Sequence, residues 1–278
     1  SPLTAGAVDF SRGSVGTAGS EFLLFDTSAR GIAMGGAMAA VTNDAASLYW
    51  NPAGLSQIPR LSATFMYARH VADISYGAGA VAQRVSDAAV MGAGVRYLDA
   101  GSIALTDLDG RSGGSFNPRS YVAELGWGQT IYDLSDSEMD VTMGVAAKAI
   151  RTDLGAGIAN GYGGDIGVQS RFYTSARSYD IALTLQNLGI GQKFNRIRDN
   201  MPARARFGGA VRPLRPLTLS AEVIAPINDA PHGAAGAEYT TEVDRTIKAA
   251  ARLGFNSMTY ESLGVASCIS FGLGLSVS

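Results

Sequence analysis

Residues 44–55 read DAASLYWNPAGL and combine a short helical pattern with an abrupt stop. Asp44 can accept a hydrogen bond in the first turn of a helix that runs as far as Trp50. Pro52 disfavours the helical conformation for the residue before it, and Gly54 allows the chain to turn. The stretch therefore predicts one short helix that ends just before the rest of the chain changes character.

From residue 61 onward, apolar residues alternate with small or polar residues, which is the period of a β-strand. The alternation is clear in seven segments: 88–98, 121–131, 141–149, 165–172, 179–186, 246–255 and 269–277. The strands that it predicts measure about 9–12 residues, which suits a tilted membrane strand and exceeds the usual length in globular proteins. The pattern favours an antiparallel transmembrane β-barrel, and a soluble β-sandwich is the alternative.

The composition supports the barrel. Charged residues make up 17% of the chain, and 35 of its 278 residues are glycine. The face opposite the apolar one is mostly Gly, Ala, Ser and Thr, whereas a face in bulk solvent would carry more Lys and Glu. Small residues on the inner face predict a lumen that another part of the chain fills.

Several classes of function find no support in the composition. The net charge of −2 without a basic patch argues against a nucleic-acid partner. The single cysteine, Cys268, excludes an internal disulfide, and two histidines are too few for a histidine-based metal cluster. With no nucleophile elbow or catalytic triad, we expect neither an enzyme, nor a metal, nor a cofactor.

The connections and the ends of the chain complete the barrel prediction. Longer polar connections at 99–117 and 189–201 alternate with short ones, as in outer-membrane barrels, and about twelve strands follow Leu61. The chain starts without Met, so we expect export with a cleaved signal peptide. No aromatic residue closes the chain at Ser278, so either the barrel closes at about twelve strands or a final hairpin is missing.

Two neighbouring stretches point to a family. Residues 29–37 read ARGIAMGGA, and residues 43–55 add NDAASLYWNPAGL. In this order they resemble the FadL-like outer-membrane proteins, specifically the PorV/PorQ-type branch. The resemblance implies a barrel of about fourteen strands with a hatch in its lumen. It predicts a hatch over residues 1–60, with one short helix, and a barrel over 61–278 that lacks a hairpin.

The resemblance also implies a location and a role. It places the protein in the bacterial outer membrane, in contact with lipid. It implies a role in protein secretion or surface docking, with secretion-system or other surface proteins as partners. The alternative is a transporter of hydrophobic small molecules, as in other FadL-like barrels.

The candidate site residues lie in the helix and its stop. Asn51, Pro52, Ala53 and Gly54 are interpreted as a structural joint between hatch and barrel rather than a gate. Tyr49 and Trp50 are candidates for a hydrophobic ligand site, although such residues more often fix a helix to the wall. Six charged residues are expected to face inward and form ion pairs, since charges toward lipid are costly: Glu124, Lys148, Asp165, Arg171, Lys248 and Arg252.

Overall fold

Twelve antiparallel strands form one sheet in the computed structural model, which describes residues 16, 18–70, 73–106, 109, 111–133, 139–155, 157–174, 177–194 and 197–277. The strands are, in chain order, β1 (Leu61–Arg69), β2 (Ser75–Arg84), β3 (Ala89–Asp99), β4 (Ile103–Thr106), β5 (Ser112–Phe116), β6 (Arg119–Asp133), β7 (Met139–Asp153), β8 (Ile158–Tyr173), β9 (Ser178–Ile190), β10 (Lys193–Phe194), β11 (Ile197–Arg198), β12 (Arg204–Leu214), β13 (Leu217–Pro226), β14 (His232–Glu242), β15 (Ile247–Asn256) and β16 (Ile269–Val277). The pairs β4–β5 and β10–β11 are separate small hairpins.

The large sheet is a meander in which every strand pairs with the strands before and after it. Its order runs from β1 to β16, with β3 next to β6 and β9 next to β12 where the small hairpins intervene. Within the described residues β1 and β16 are not paired with each other, so the sheet has two edges. The predicted all-β antiparallel architecture with twelve strands is confirmed.

The two faces of the sheet follow the alternation in the sequence. Along β7 buried and exposed residues alternate from Thr142 to Thr152. The outward residues are large and apolar, such as Phe65 on β1 and Leu273 on β16. The inward residues are small or polar and are buried, although no second sheet covers them. They are buried because the N-terminal segment occupies the lumen.

Alternate connections of a meander lie at the same end of the sheet. The longest ones join β3 to β6, β9 to β12 and β15 to β16, and they share what we call the loop end. The opposite end, with tight connections such as that between β12 and β13, is the turn end. The predicted separation of long connections at one end from short connections at the other is incomplete. The short connection at His70, between β1 and β2, also lies at the loop end. The long segments predicted as loops contain the two small hairpins.

The segment before β1, which we call the hatch, contains more helix than predicted. It has α1 (Ala29–Ala33), α2 (Ser47–Trp50) and the 3₁₀ helices Glu21–Leu24 and Pro52–Gln57, so the prediction of one helix was wrong. A third short helix, α3 (Tyr260–Leu263), lies between β15 and β16. In the described part of the chain, no helix is both long and apolar enough to cross a membrane.

Candidate functional site in the barrel lumen

The predicted helix and stop are present, with one difference. Asp44 accepts a hydrogen bond from the Ala46 N–H at 2.8 Å, and the helix begins at Ser47. Asn51 is extended, with φ of −158°, and its Oδ1 accepts the N–H of Ala53 at 3.0 Å. The chain does not turn away at Gly54 but continues as the 3₁₀ helix, because Asn51 caps it and proline suits its first position.

The stop motif contacts glycines of the barrel wall. A Cβ atom on Gly167 would lie 1.9 Å from Oδ1 of Asn51, and one on Gly144 would lie 2.2 Å from the carbonyl carbon of Pro52. Both distances are far below van der Waals contact. Gly144 of β7 therefore admits the backbone of the hatch and Gly167 of β8 admits the Asn51 side chain, which explains why the inner face is built from such small residues.

Tyr49 is fixed to the wall through its hydroxyl and its ring. The hydroxyl donates to the carbonyl oxygen of Gly79 at 2.6 Å. The guanidinium of Arg96 lies 4.8 Å from the ring centroid, within the range of a cation–π contact. Arg96 in turn donates from Nε to Glu124 at 2.7 Å. With 4% of its surface exposed, Tyr49 is in the position of a packing residue.

Trp50 has a matching arrangement on the opposite wall. The guanidinium of Arg206 lies 4.9 Å from its ring centroid, and Arg206 forms an ion pair with Glu222. Both charged residues also bind the hatch backbone. Arg206 donates from Nη2 to the carbonyl oxygen of Gly36 at 2.6 Å, and Glu222 accepts the N–H of Ala39 at 3.0 Å.

Gln186 completes the attachment of α2. Its Nε2 donates to the carbonyl oxygens of Tyr49 at 2.8 Å and Trp50 at 2.9 Å. The last carbonyl groups of a helix have no partner within the helix, so the wall supplies one here. Sequence reasoning did not single out Gln186, Arg206 or Glu222. The feature of the sequence that could have identified them is their position among the inward-facing residues of the alternating strands.

The predicted inward charges are paired. The Nζ atom of Lys148 lies 2.8 Å from Oδ2 of Asp165, and the Nε atom of Arg171 lies 2.6 Å from Oδ1 of Asp180. Glu124 pairs with Arg96, and Arg252 shares Glu238 with Arg30 of the hatch. Lys248 differs, because it is half exposed at the turn end and lies 3.6 Å from Glu242. The ion pairs in the lumen let the wall bury charge without facing it toward lipid.

A cavity of about 170 Å³ lies at the loop end of the lumen, between the hatch and β12–β14. Its lining includes Asp26, Trp50, Arg204, Asp229 and His232, so one of the two aromatic candidates borders it. Tyr49 is not among the lining residues. Burial raises the pKa of the Asp26 carboxyl, and the positive charges of Arg206 and Arg204 oppose this rise.

A family profile and several solved structures match the chain. The profile described as "Type IX secretion system protein PorV" matches residues 10–210. No curated protein sequence matches the chain.

Two outer-membrane transporters have a similar fold. The Pseudomonas putida toluene transporter TodX superimposes with a TM-score of 0.53 at 13% identity, over 91% of this chain and 89% of its own. The Ralstonia pickettii toluene transporter TbuX gives a TM-score of 0.52 at 12% identity, over 90% of this chain and 88% of its own. At these identities the likeness concerns the fold alone.

Proposed function

The chain belongs to the PorV family of type IX secretion system proteins, and from this premise we propose that it is a plugged barrel that docks secretion-system proteins at its loop end. The predicted resemblance to FadL-like barrels of the PorV branch is confirmed. The protein is thus an outer-membrane β-barrel with a role in secretion. The cleaved signal peptide stays a prediction.

The observation that supports a plug is the attachment of α2 to the wall from several sides. Arg96 and Arg206 stack on its two aromatic residues, and Gln186 binds its carbonyl groups. Releasing the helix would break both cation–π contacts and leave the buried amide of Gln186 without its acceptors, which is unfavourable. A lumen closed in this way favours a role on the outside of the barrel and a non-enzymatic one.

The connections at the loop end offer apolar surface to a partner. Leu263 at the end of α3 is 70% exposed, Val265 is 55% exposed, and Ile103 in the β4–β5 hairpin is 44% exposed. Exposed apolar residues on connections, outside the lipid-facing strands, are candidates for an interaction site. The loop end would therefore face the compartment in which the partner is present.

Secretion in a host that carries the type IX system tests this proposal. We expect Leu263→Asp and Val265→Asp to lower the amount of secreted cargo while the level of barrel in the membrane stays unchanged. Val243→Asp is the matched control, because Val243 is 64% exposed but lies at the turn end. Equal loss of secretion in the control and the loop-end variants would contradict docking at the loop end.

Transport of a hydrophobic small molecule is the second candidate. The loop-end cavity favours it, since it borders Trp50, and the two similar structures are described as toluene transporters. The charged lining, with Asp26, Arg204 and Asp229, disfavours an apolar ligand. Uptake of labelled toluene by cells that produce the barrel, above that of cells without it, would favour transport over docking.

A further inference from the structure

Arg151 lies on the outward face of the barrel, within β7. Strand pairing places Tyr97, Tyr121, Arg151 and Asn160 in one row across β3, β6, β7 and β8. Tyr121, Arg151 and Asn160 are exposed, as outward positions of a barrel wall are. The row lies near the loop end of each strand.

Arg151 differs from the lumenal cations in having no carboxylate partner among the described residues. The neighbouring acids are engaged elsewhere: Asp99 accepts the Tyr97 hydroxyl at 2.8 Å and pairs with Arg119 at 3.2 Å, and Asp153 accepts the N–H of Gly155 at 2.8 Å. Arg151 therefore presents, on the membrane side of the wall, a positive charge with no contacting carboxylate among the described residues.

An apolar groove of about 510 Å³ begins beside this arginine. Its floor contains Ala123 and Ala149, which are directly opposite each other on β6 and β7. Tyr162 on β8 is paired with Ala149 and forms one wall. Small outward residues between larger ones thus form an apolar depression in the wall.

The position of the row corresponds to a membrane interface. Tyr162 and Phe172 are outward residues of β8 that stand ten residues apart. At about 3.3 Å per residue and a tilt of about 40°, this separation spans roughly 25 Å, close to the height of the apolar band of outer-membrane barrels. Aromatic residues flank that band at both interfaces. Arg151 thus lies at the depth of lipid headgroups, where a charge is tolerated.

We propose that Arg151 and the groove bind a phosphorylated lipid of the leaflet at the loop end. The guanidinium would bind the phosphate in a bidentate manner, and the Asn160 amide lies next to it on the neighbouring strand to donate a further hydrogen bond. An acyl chain would occupy the groove over Ala123 and Ala149. The charge and the groove together select a membrane lipid that is both anionic and long-chained.

Native mass spectrometry of the detergent-purified barrel tests the site with two lipids of equal acyl chains. Dioleoylphosphatidylglycerol is anionic, and dioleoylphosphatidylcholine is zwitterionic. We expect Arg151→Gln to weaken binding of phosphatidylglycerol about fivefold, the effect of one basic residue at a membrane surface, and to leave phosphatidylcholine unchanged. Ala149→Leu, which fills the groove, should weaken both lipids.

The control variant is Arg245→Gln, since Arg245 is an exposed cation at the turn end. It should bind both lipids as the wild type does. Equal losses of phosphatidylglycerol in Arg151→Gln and Arg245→Gln would overturn the site, because the effect would be one of overall charge. Full displacement of the lipid by soluble glycerol phosphate would also overturn it, because the site would then bind free phosphate. Unchanged lipid binding in Ala149→Leu would overturn the role of the groove.

Discussion

The 3₁₀ helix Pro52–Gln57 is buried against inward glycines such as Gly144, whereas Glu21, Leu24 and Asp26 of the hatch face β12–β14 across a cavity of about 170 Å³. The first region joins backbone to backbone with little space left between them. The second joins charged side chains across open volume. Both regions belong to the same hatch in the same lumen.

The difference shows two ways in which a segment can be held inside a barrel. At the turn end the fit depends on the absence of side chains from the wall, so few substitutions can be accommodated. At the loop end the lining can change charge or size with little rearrangement, because the cavity has room. We therefore expect the close contacts at the turn end and the buried ion pairs to determine stability, and the cavity-lining residues outside those pairs, such as Asp26, to tolerate variation.

The largest effect is expected at the boundary between the two regions, where Glu222 binds both Arg206 and the Ala39 N–H. Glu222→Gln leaves the buried guanidinium without its counter-charge. Removing one partner of a buried ion pair costs about 3–5 kcal/mol. Guanidinium-induced unfolding in detergent micelles measures the change in the free energy of unfolding.

Glu242→Gln is the matched control for this change. Glu242 pairs with Lys248 at 3.6 Å, but both side chains are largely exposed at the turn end. An exposed pair contributes about 0–1 kcal/mol. If both glutamate variants lost the same stability, the lumenal pair would not hold the hatch.

A somewhat smaller effect is expected in the closely packed region. Gly144→Ala places a Cβ atom 2.2 Å from the carbonyl carbon of Pro52, so the hatch backbone has to move. Overpacking of this kind costs about 2–3 kcal/mol. Gly209→Ala is the control, since Gly209 is also in a strand but has no atom nearer than 3.7 Å to the added Cβ. The same unfolding measurement should show little change for Gly209→Ala, and a similar loss in both variants would refute the close fit.

The strands and their faces could be predicted from the sequence because the alternation is local. The inward positions of Glu124 and Lys148 followed from period two alone. The hatch could not be predicted to the same extent, because its helices have only four to six residues and depend on contacts with distant strands. Gln186 illustrates the limit, since it binds residues 136 and 137 positions away in the chain. Such a partner leaves no sign in the local pattern.

Gln186 also gives the next prediction. Gln186→Leu removes the donor to the Tyr49 and Trp50 carbonyl groups and the acceptor for Arg204 Nε at 2.7 Å. Buried groups left without partners cost about 1–2 kcal/mol in this setting. Gln186→Glu, which retains the acceptor but not the donor, separates the two contributions. Wild-type stability in Gln186→Leu would show that α2 is held without this side chain.

The smallest effect is expected for Asp26 in the cavity. Here the substitution should raise the free energy of unfolding rather than lower it. Burial raises the pKa of this carboxyl above its usual value, so folding favours its neutral form. The contribution to stability is therefore complete below the pKa of the unfolded chain and decreases as the pH rises through the folded pKa. Asparagine does not ionise, so Asp26→Asn should match the wild type near pH 3 and exceed it at pH 7. A less stable variant at pH 7 would mean that Arg204 and Arg206 stabilise the carboxylate by more than burial destabilises it, and the loop-end half would then hold the hatch by charge.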